Sequence, residues 1–322
     1  AGKDKMEILR LFIWLFAVVA GALLFLFFII WSMNHASTST TVENIAFVRS
    51  FEQQLSALST STELSKTLTF PKDTSLHIAC DTFLTAKASE PTSLFVFSPA
   101  TLTDPQYTLI GKPWHFPFYV DMFYYLIPKQ TIVIAYYEPS AATYVTSLDI
   151  PSTYPLKTLP LSAYSLTSLK TELQGYRSAT LVFFGNAPDV SSLLQTLKSL
   201  PVTVVVVDLT QSLLTFYPEN TEHPFFGEAQ LFGAFIGEDQ YACQQQRALE
   251  KVRLLATLYQ QKTILLQQKL GSGSSCQQLL SQGGSLLTSL STPSDPERLR
   301  ATVNSLTSVN EDLLRHDCPT IY

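Results

Sequence analysis

Charged residues are scarce in this chain, and several other absences limit what it can be. Asp, Glu, Lys and Arg make up only 15% of its 322 residues, and the formal net charge is −5. Outside the N-terminus there is no cluster of basic residues. The composition therefore argues against nucleic acid as a partner.

Sequence motifs of enzymes and metal sites are also missing. H-E-x-x-H, G-x-S-x-G, Walker A and G-x-G-x-x-G patterns do not occur, and the five histidines are scattered without the spacing of metal ligands. We therefore expect a protein that is not an enzyme and that uses no metal or cofactor. Asp208 ends a predicted strand near the Gly185-Asn186 turn, where open α/β sheets place ligand groups. We favour the interpretation that Asp208 only terminates its strand.

One long apolar run stands out against this composition. Residues 11–31, LFIWLFAVVAGALLFLFFIIW, contain no charged residue. As a helix they would span about 31 Å, close to the hydrocarbon thickness of a bilayer. Trp14 and Trp31 lie near the two ends, where indole rings prefer the headgroup region. A signal peptide has a shorter apolar core of about 7–15 residues, so residues 11–33 are interpreted as a transmembrane or filament-core helix.

The flanking charges predict how this helix is oriented. Lys3, Lys5 and Arg10 precede the run. No Lys or Arg follows it until Arg49. The positive-inside rule then places the N-terminus in the cytoplasm and the bulk of the chain outside.

A filament subunit is the alternative interpretation of the same helix. Glu7, in KDKMEILRLFIWLF, resembles the glutamate near the start of the long apolar helix of type IV pilins. The initial Ala1 fits either loss of an initiator Met or cleavage by a prepilin-type peptidase. However, this stretch carries more charge than such pilin helices do. In a filament core Glu7 and Arg10 would each need a partner, because unpaired buried charge is costly, so the plain anchor is our first hypothesis.

The rest of the chain predicts an α/β fold followed by helices. TTVENIAFVRSFEQQLSAL predicts an amphipathic helix that starts at a capping box of Thr40 and Glu43. Its apolar face consists of Ile45, Val48, Phe51, Leu55 and Leu58, and it is interpreted as a stalk or as a first packed helix just outside the membrane. Short β-rich runs from about residue 74 to 236 lack alternation, as buried parallel strands do. They are SLHIAC, LFVF, TIVIAYY, TLVFF and VTVVVV. SATLVFFGNAPDVSSLLQTLKSLPVTVVVVDL predicts a βαβ crossover, with Pro188 in the first helical turn.

Three helical patterns follow, joined by short turns such as GSGSS. Gly283-Gly284 lowers the helix propensity of the second one. The fold class is therefore a doubly wound, mostly parallel sheet followed by a C-terminal antiparallel helical bundle or hairpin. The predicted domains are a cytoplasmic N-terminus (1–10), a transmembrane or filament-core helix (11–33), a stalk helix and linker (34–72), an α/β domain (73–237) and a C-terminal helical domain (238–322).

Four cysteines without a C-x-x-C pair predict disulfides in a part of the chain outside the membrane. Cys276 begins the second C-terminal helix and Cys318 ends the third, so antiparallel packing would bring them together. Cys243 begins the longer first helix, at the opposite end, which leaves Cys80 as its partner. The alternative is four buried, reduced thiols.

Aromatic residues crowd into KPWHFPFYVDMFYYLIPK, which predicts a helix that is apolar on two faces. Such a helix belongs to the core or docks on a partner. Aromatic residues also dominate interface hot spots, which keeps the docked alternative open. We adopt the core interpretation and keep a neighbouring subunit and the membrane surface as alternatives. The candidate interface residues are Trp114, Phe116, Phe118, Tyr119, Phe123 and Tyr125.

Three stretches carry a resemblance to a known family: KPWHFPFYVDMFYYLIPK, GAFIGEDQYACQQQRALEKVRLLATLYQQK and NEDLLRHDCPTIY. They resemble an uncharacterised family of single-span membrane proteins from small-genome archaea. The resemblance implies an N-terminal anchor, an α/β region and a helical C-terminus with a Cys-Pro-x-x-Tyr-like tail, and it implies no activity. In this chain the tail consists of Cys318, Pro319, Ile321 and Tyr322.

Three hypotheses of function follow. The first is a single-pass cell-envelope protein with a non-enzymatic structural, scaffolding or partner-binding part outside the membrane. Its partners would be membrane lipid, through residues 11–33, and an unidentified envelope protein. The second is a pilin-like filament subunit whose copies pack through residues 11–33. The third is an extracytoplasmic enzyme with a site at the strand ends near Asp208.

Overall fold

The protein combines one long N-terminal helix, mixed β-sheets and C-terminal helices. The computed structural model describes residues 3–59, 65–71, 75–198, 200–270, 274–293 and 295–322, with only the backbone for 3–13 and 33–41. The helices are α1 (Lys3–Leu58), α2 (Ala142–Ser147), α3 (Leu166–Glu172), α4 (Val190–Thr196), α5 (Glu228–Ala234), α6 (Glu238–Lys269), α7 (Ser275–Ser291) and α8 (Pro296–Arg315). The strands are β1 (Ser65–Thr69), β2 (Leu76–Ile78), β3 (Thr82–Leu84), β4 (Ser89–Pro91), β5 (Phe95–Phe97), β6 (Thr101–Leu102), β7 (Gln106–His115), β8 (Tyr119–Pro128), β9 (Thr131–Tyr137), β10 (Leu156–Pro160), β11 (Ser178–Phe184), β12 (Val202–Asp208), β13 (Leu213–Tyr217) and β14 (Thr221–Pro224).

Helix α1 runs without a break from the apolar segment into the folded part of the chain. The expected helix start at Thr40 and Glu43 is therefore wrong, since both lie inside α1. No Gly or Pro occurs between residues 31 and 58, so nothing in this stretch interrupts the helix. The predicted apolar face does pack into the core, and its buried members are Val48, Phe51, Leu55 and Leu58.

A β-hairpin takes the place of the helix that the aromatic stretch predicts. Strands β7 and β8 pair antiparallel in a sheet of order β1-β7-β8-β5. Alternate side chains of β8 enter two different cores. Phe123 and Tyr125 lie in one apolar cluster, whereas Met122 and Tyr124 lie in the other. A strand between two cores is apolar on both faces, and this explains why its pattern resembled a buried helix.

The six-stranded sheet has the order β10-β9-β11-β12-β13-β14. Its first four strands are parallel, and β13 and β14 join antiparallel. The predicted unit of β11, α4 and β12 is present, but α4 begins later than expected. Asp189 is its N-cap and accepts hydrogen bonds from the backbone N–H groups of Ser191 and Ser192, so Pro188 precedes the helix.

Two expectations about strands are corrected. The runs SLHIAC and LFVF do not join the parallel sheet. The first contributes β2 to a small antiparallel sheet of order β4-β3-β2-β6, and the second contributes β5, which pairs with β8. The region predicted as a stalk helix and linker (34–72) also contains a strand, β1, which pairs with β7.

The C-terminal helices α6, α7 and α8 pack against the same core. The predicted turn GSGSS falls partly outside the described residues, since 271–273 are not described. Gly283 and Gly284 lie inside α7. Gly283 allows a close approach, because a Cβ atom there would overlap Cδ1 of the fully buried Ile321. A Cβ atom at Gly284 would lie 3.6 Å from Cγ2 of Thr263, an ordinary contact.

The two glycines therefore make a matched pair for mutation. In Gly284→Ala we expect the free energy of unfolding to rise by up to about 1 kcal/mol, because alanine favours the helix. In Gly283→Ala overpacking against Ile321 offsets that gain, with a cost of about 1–3 kcal/mol. Urea denaturation of the purified chain in mild detergent should rank Gly284→Ala as the more stable variant by about 2 kcal/mol. Equal stability of the two would contradict the close packing at Gly283.

Candidate functional site

The apolar part of α1 is exposed along its described length. Residues Trp14–Ser32 form a helix that is long and apolar enough to cross a membrane, and none of this segment is buried against the protein. The tryptophans near its ends, Trp14 and Trp31, are 75% and 57% exposed. The side chains of Glu7 and Arg10, the candidate assembly residues, lie outside the part of the chain described at side-chain level.

The four cysteines lie in two pairs at disulfide distance. Cys80 is opposite Cys243 with a Cα–Cα distance of 5.8 Å, and Cys276 is opposite Cys318 at 5.6 Å. These are the partners that the predicted order of the helices favoured. The first pair joins the turn after β2 to α6, and the second joins the start of α7 to the C-terminal tail.

The candidate interface residues are mostly internal. Trp114, Phe116, Phe118, Phe123 and Tyr125 are buried. The indole N–H of Trp114 donates to the backbone O of residue 226 (2.8 Å), and the hydroxyl of Tyr125 donates to the backbone O of residue 229 (2.6 Å). These five side chains therefore belong to the core and cannot form a docking surface.

Tyr119 is the exception among the aromatic candidates, because its side chain is 49% exposed.

The carboxyl edge of the parallel sheet holds polar groups that bind one another. Asp208 Oδ1 accepts hydrogen bonds from the N–H groups of Thr210 (2.8 Å) and Gln211 (3.0 Å), so this carboxylate closes a turn. Glu138, which the sequence did not single out, accepts from the side-chain amide (2.8 Å) and the backbone N–H (3.2 Å) of Asn186. The residues expected to face a ligand at this edge are thus engaged in structure.

Helix α6 joins the sheets through polar side chains. Gln240 donates to the backbone O of Ile78 (2.5 Å) and Gln244 donates to the backbone O of Cys80 (2.9 Å). Both glutamines are buried, and Cys243 lies between them in the chain. Buried carbonyl groups need such donors, so this part of α6 holds the small antiparallel sheet in place.

Arg247 extends the same contact by one turn. Its guanidinium donates to the backbone O atoms of Cys80 (2.6 Å), Thr92 (3.0 Å) and Leu94 (3.2 Å), and it lies over the ring of Phe95. Burial lowers the pKa of the Arg247 guanidinium from its ordinary value. The group stays charged at any physiological pH, because its ordinary pKa is far above neutrality.

Replacing Arg247 should therefore destabilise the fold. Arg247→Met keeps the apolar stem but leaves three carbonyl groups without this donor. We expect the free energy of unfolding to fall by about 2–3 kcal/mol. Arg298→Met, at an exposed position of α8, is the control and should change it by less than about 0.5 kcal/mol. Urea denaturation measures both, and an equally small effect of the two substitutions would contradict the role given to Arg247.

A cleft of about 770 Å³ opens at the other edge of the parallel sheet, beside the amino ends of β9, β11 and β12. Its walls come from the segment before β6, the end of β8, the hairpin of β13 and β14, and the junction of α5 and α6. The sequence reading missed this cleft, because those segments are distant from one another in the chain. Its volume falls in the range of small-molecule sites.

Hydroxyl groups cover the floor of the cleft. The floor residues are Thr131, Ser178, Thr180 and Thr203. Side chains two residues apart share a face of a strand, so this floor continues the sheet face on which Val133, Val182 and Val205 join the core. The sheet face is thus apolar where helices cover it and polar where the cleft lies.

A hydrogen-bonded cluster forms one wall. Glu238, in the first turn of α6, accepts a hydrogen bond from the hydroxyl of Thr221, and its Oε1 lies 3.8 Å from Nε2 of His223. The Glu238 and His223 side chains are 24% and 21% exposed. Tyr154 also lines the cleft, and burial raises the pKa of its hydroxyl, which donates to the backbone O of Phe232 (3.1 Å).

In the part of the chain that the structure describes, no group of three or more His, Cys, Asp or Glu residues could hold a metal ion. No protein-family model, curated protein or solved structure matches the chain.

Proposed function

We propose that this protein is a single-pass protein of the cell envelope, with its folded body outside the membrane as a non-enzymatic, partner-binding subunit. The observation that carries the proposal is α1, in which an apolar stretch of membrane-spanning length is nowhere buried (Trp14–Ser32) before the helix enters the core. Exposed apolar surface of this extent is explained by lipid or by copies of the same helix. The resemblance to single-span archaeal membrane proteins agrees with the lipid interpretation.

The geometry of α1 supports a body that sits close to the bilayer. From Ser32 to the fully buried Val48, α1 rises about 24 Å. The far end is held firmly, since the ring of Phe51 packs edge-on against Phe70 and Phe83 at centroid distances of 5.7 and 5.2 Å. An unbroken helix would therefore transmit the orientation of the body to the membrane segment.

Two further features support the outward orientation. The basic residues near the start of the chain favour a cytoplasmic N-terminus under the positive-inside rule. The cysteine pairs at disulfide distance fit an oxidising compartment, where such bonds persist.

We also assign the finer architecture. The parallel sheet is classed as doubly wound, which is supported by helices that pack on both faces: Leu169 of α3 and Leu193 of α4 join one apolar cluster, and Val145 of α2 joins the other. The C-terminal helices are classed as an antiparallel bundle, which is supported by the proximity of the start of α7 to the tail after α8.

An exposed row of leucines supports partner binding. Leu254, Leu258 and Leu265 of α6 are 63%, 53% and 59% exposed. Their spacings of four and seven residues place them on one side of α6, as along the seam of a coiled coil. The partner would present an amphipathic helix to this row.

Charged substitutions in α1 test the anchor. Two arginines at the bilayer centre oppose insertion by about 2.5–3.5 kcal/mol each. We expect the native chain to stay with membranes until detergent is added, and Leu23→Arg/Phe27→Arg to be released without detergent. Val42→Arg lies on the same helix outside the apolar run and should behave as the native chain does. Fractionation with immunoblotting measures all three.

The same preparation separates anchor from filament. Cells are sheared without detergent, the released material is pelleted, and the pellet is examined by mass spectrometry and negative-stain microscopy. Recovery of the native chain in detergent-free filaments would replace the anchor with the pilin-like alternative. Recovery of the native chain in the soluble fraction would contradict both.

A further inference from the structure

The cleft at the amino edge of the parallel sheet is built for a ligand that neither the anchor nor the partner surface explains. Strand residues that would complete an apolar face are replaced there by hydroxyl side chains. Thr180 is only 3% exposed and still lines the cleft. Its neighbour across the parallel pair is Thr203. Thr180 is thus buried, whereas Thr131, Ser178 and Thr203 are partly exposed. The cleft above them has the volume of a small-molecule site.

The charges around this floor are of one sign. Glu219, Glu238 and Asp239 line the cleft, together with the single imidazole of His223. No Lys or Arg is among the described residues that line it. The N-terminus of α6 contributes about half a positive charge, which the three carboxylates outweigh. Recessed, low-dielectric walls focus such a field, so the cleft attracts cations and repels anions.

The least exposed of these three carboxylates is held in place. Glu238 belongs to the first turn of the long helix α6, and the hydroxyl of Thr221 donates to it. Asp239 and Glu219 are exposed at the rim. A ligand with a positive group at one end could therefore meet the rim first and Glu238 second, while its remaining polar atoms reach the hydroxyl floor.

Aromatic rings complete the walls. Tyr154, Tyr217 and Phe235 line the cleft, and Tyr217 is the one of the three that is partly exposed. An aromatic ring beside a ligand favours organic cations over neutral polyols. Tyr154 stays neutral, because burial raises the pKa of its hydroxyl, so it adds no further charge.

We propose that this cleft binds an organic cation, a ligand bearing amine or guanidinium groups, with Glu238 as its principal carboxylate and the threonine and serine floor as its neutral contact. The inference goes beyond the proposed function. It holds or fails wherever α1 inserts, so the binding experiment and the fractionation experiment can fail separately.

Calorimetric titration of the full-length chain in mild detergent tests the inference, with spermidine as the cationic probe and sorbitol as the neutral one. We expect saturable binding of spermidine at one site and no measurable binding of sorbitol. Glu238→Gln removes the charge but keeps an oxygen that can accept from Thr221, and should raise the Kd for spermidine about tenfold, as loss of one charge-assisted contact does.

Two further variants make the result decisive. Asp239→Asn changes an exposed side chain at the rim, so it carries little risk to folding, and should also weaken spermidine binding. Glu222→Gln removes one exposed charge from the β13–β14 hairpin, at a residue that does not line the cleft. This variant should leave the Kd for spermidine unchanged. Circular dichroism confirms that each variant is folded.

Several outcomes would overturn the inference. One is the absence of saturable spermidine binding, and another is sorbitol that binds as tightly as spermidine does; either result contradicts the inference. Equal weakening of spermidine binding by Glu222→Gln and Glu238→Gln would mean non-specific attraction to an acidic surface. Unchanged binding in both Glu238→Gln and Asp239→Asn would overturn it as well.

Discussion

The first half of α6 is the element on which the rest of this structure depends. Its polar side chains donate to backbone carbonyls of the small sheet and of the segment before β5, and Tyr241 donates to the backbone O of Pro224 at the end of β14 (2.9 Å). Lys251 adds an ion pair with Asp121 of β8. One helix thereby supplies donors to carbonyls of the small sheet, of the segment before β5 and of β14, which apolar packing alone would leave without these partners.

The β7–β8 hairpin links the two ends of the chain, because α1 and α6 pack on its opposite faces. Helix α1 packs on the face of the β7–β8 hairpin opposite to the one that shares its core with α6. The β8 strand therefore lies between α1 and the C-terminal helices, and each of its faces is buried by one of them. The cleft follows from this arrangement, because the junction of α5 and α6 covers only part of the parallel sheet and leaves its amino edge open.

Local patterns were sufficient for part of this fold. The β11–α4–β12 unit and the three C-terminal helices follow from apolar spacing and from turn residues, which act over short range. The sequence pattern of β8 predicts a helix, and this prediction is wrong because the two cores that bury its faces come from distant parts of the chain. Periodicity alone does not separate a doubly buried strand from a buried helix.

The sites divide in the same way. The apolar run and the cysteine pairs are visible from composition and from the order of the helices. The cleft is not, since Glu238 and His223 meet only once the sheet and α6 have packed. A faint signal existed in the hydroxyl residues at the start of the runs that form β9, β11 and β12. These residues indicate a cleft only once the starts of the three strands are known to lie at one edge of the sheet.

The central claim is that the folded body lies outside the membrane, and the oxidation state of the cysteines in the cell tests it most directly. Cysteines in a body outside the membrane should form disulfides. Cells would be lysed in the presence of an alkylating reagent, so that free thiols are blocked at once. The chain would then be purified from membranes, and its peptides would be mapped by mass spectrometry without reduction. The account predicts linked peptides for Cys80 with Cys243 and for Cys276 with Cys318, and no alkylated cysteine. Four alkylated thiols in the membrane-bound chain would contradict it.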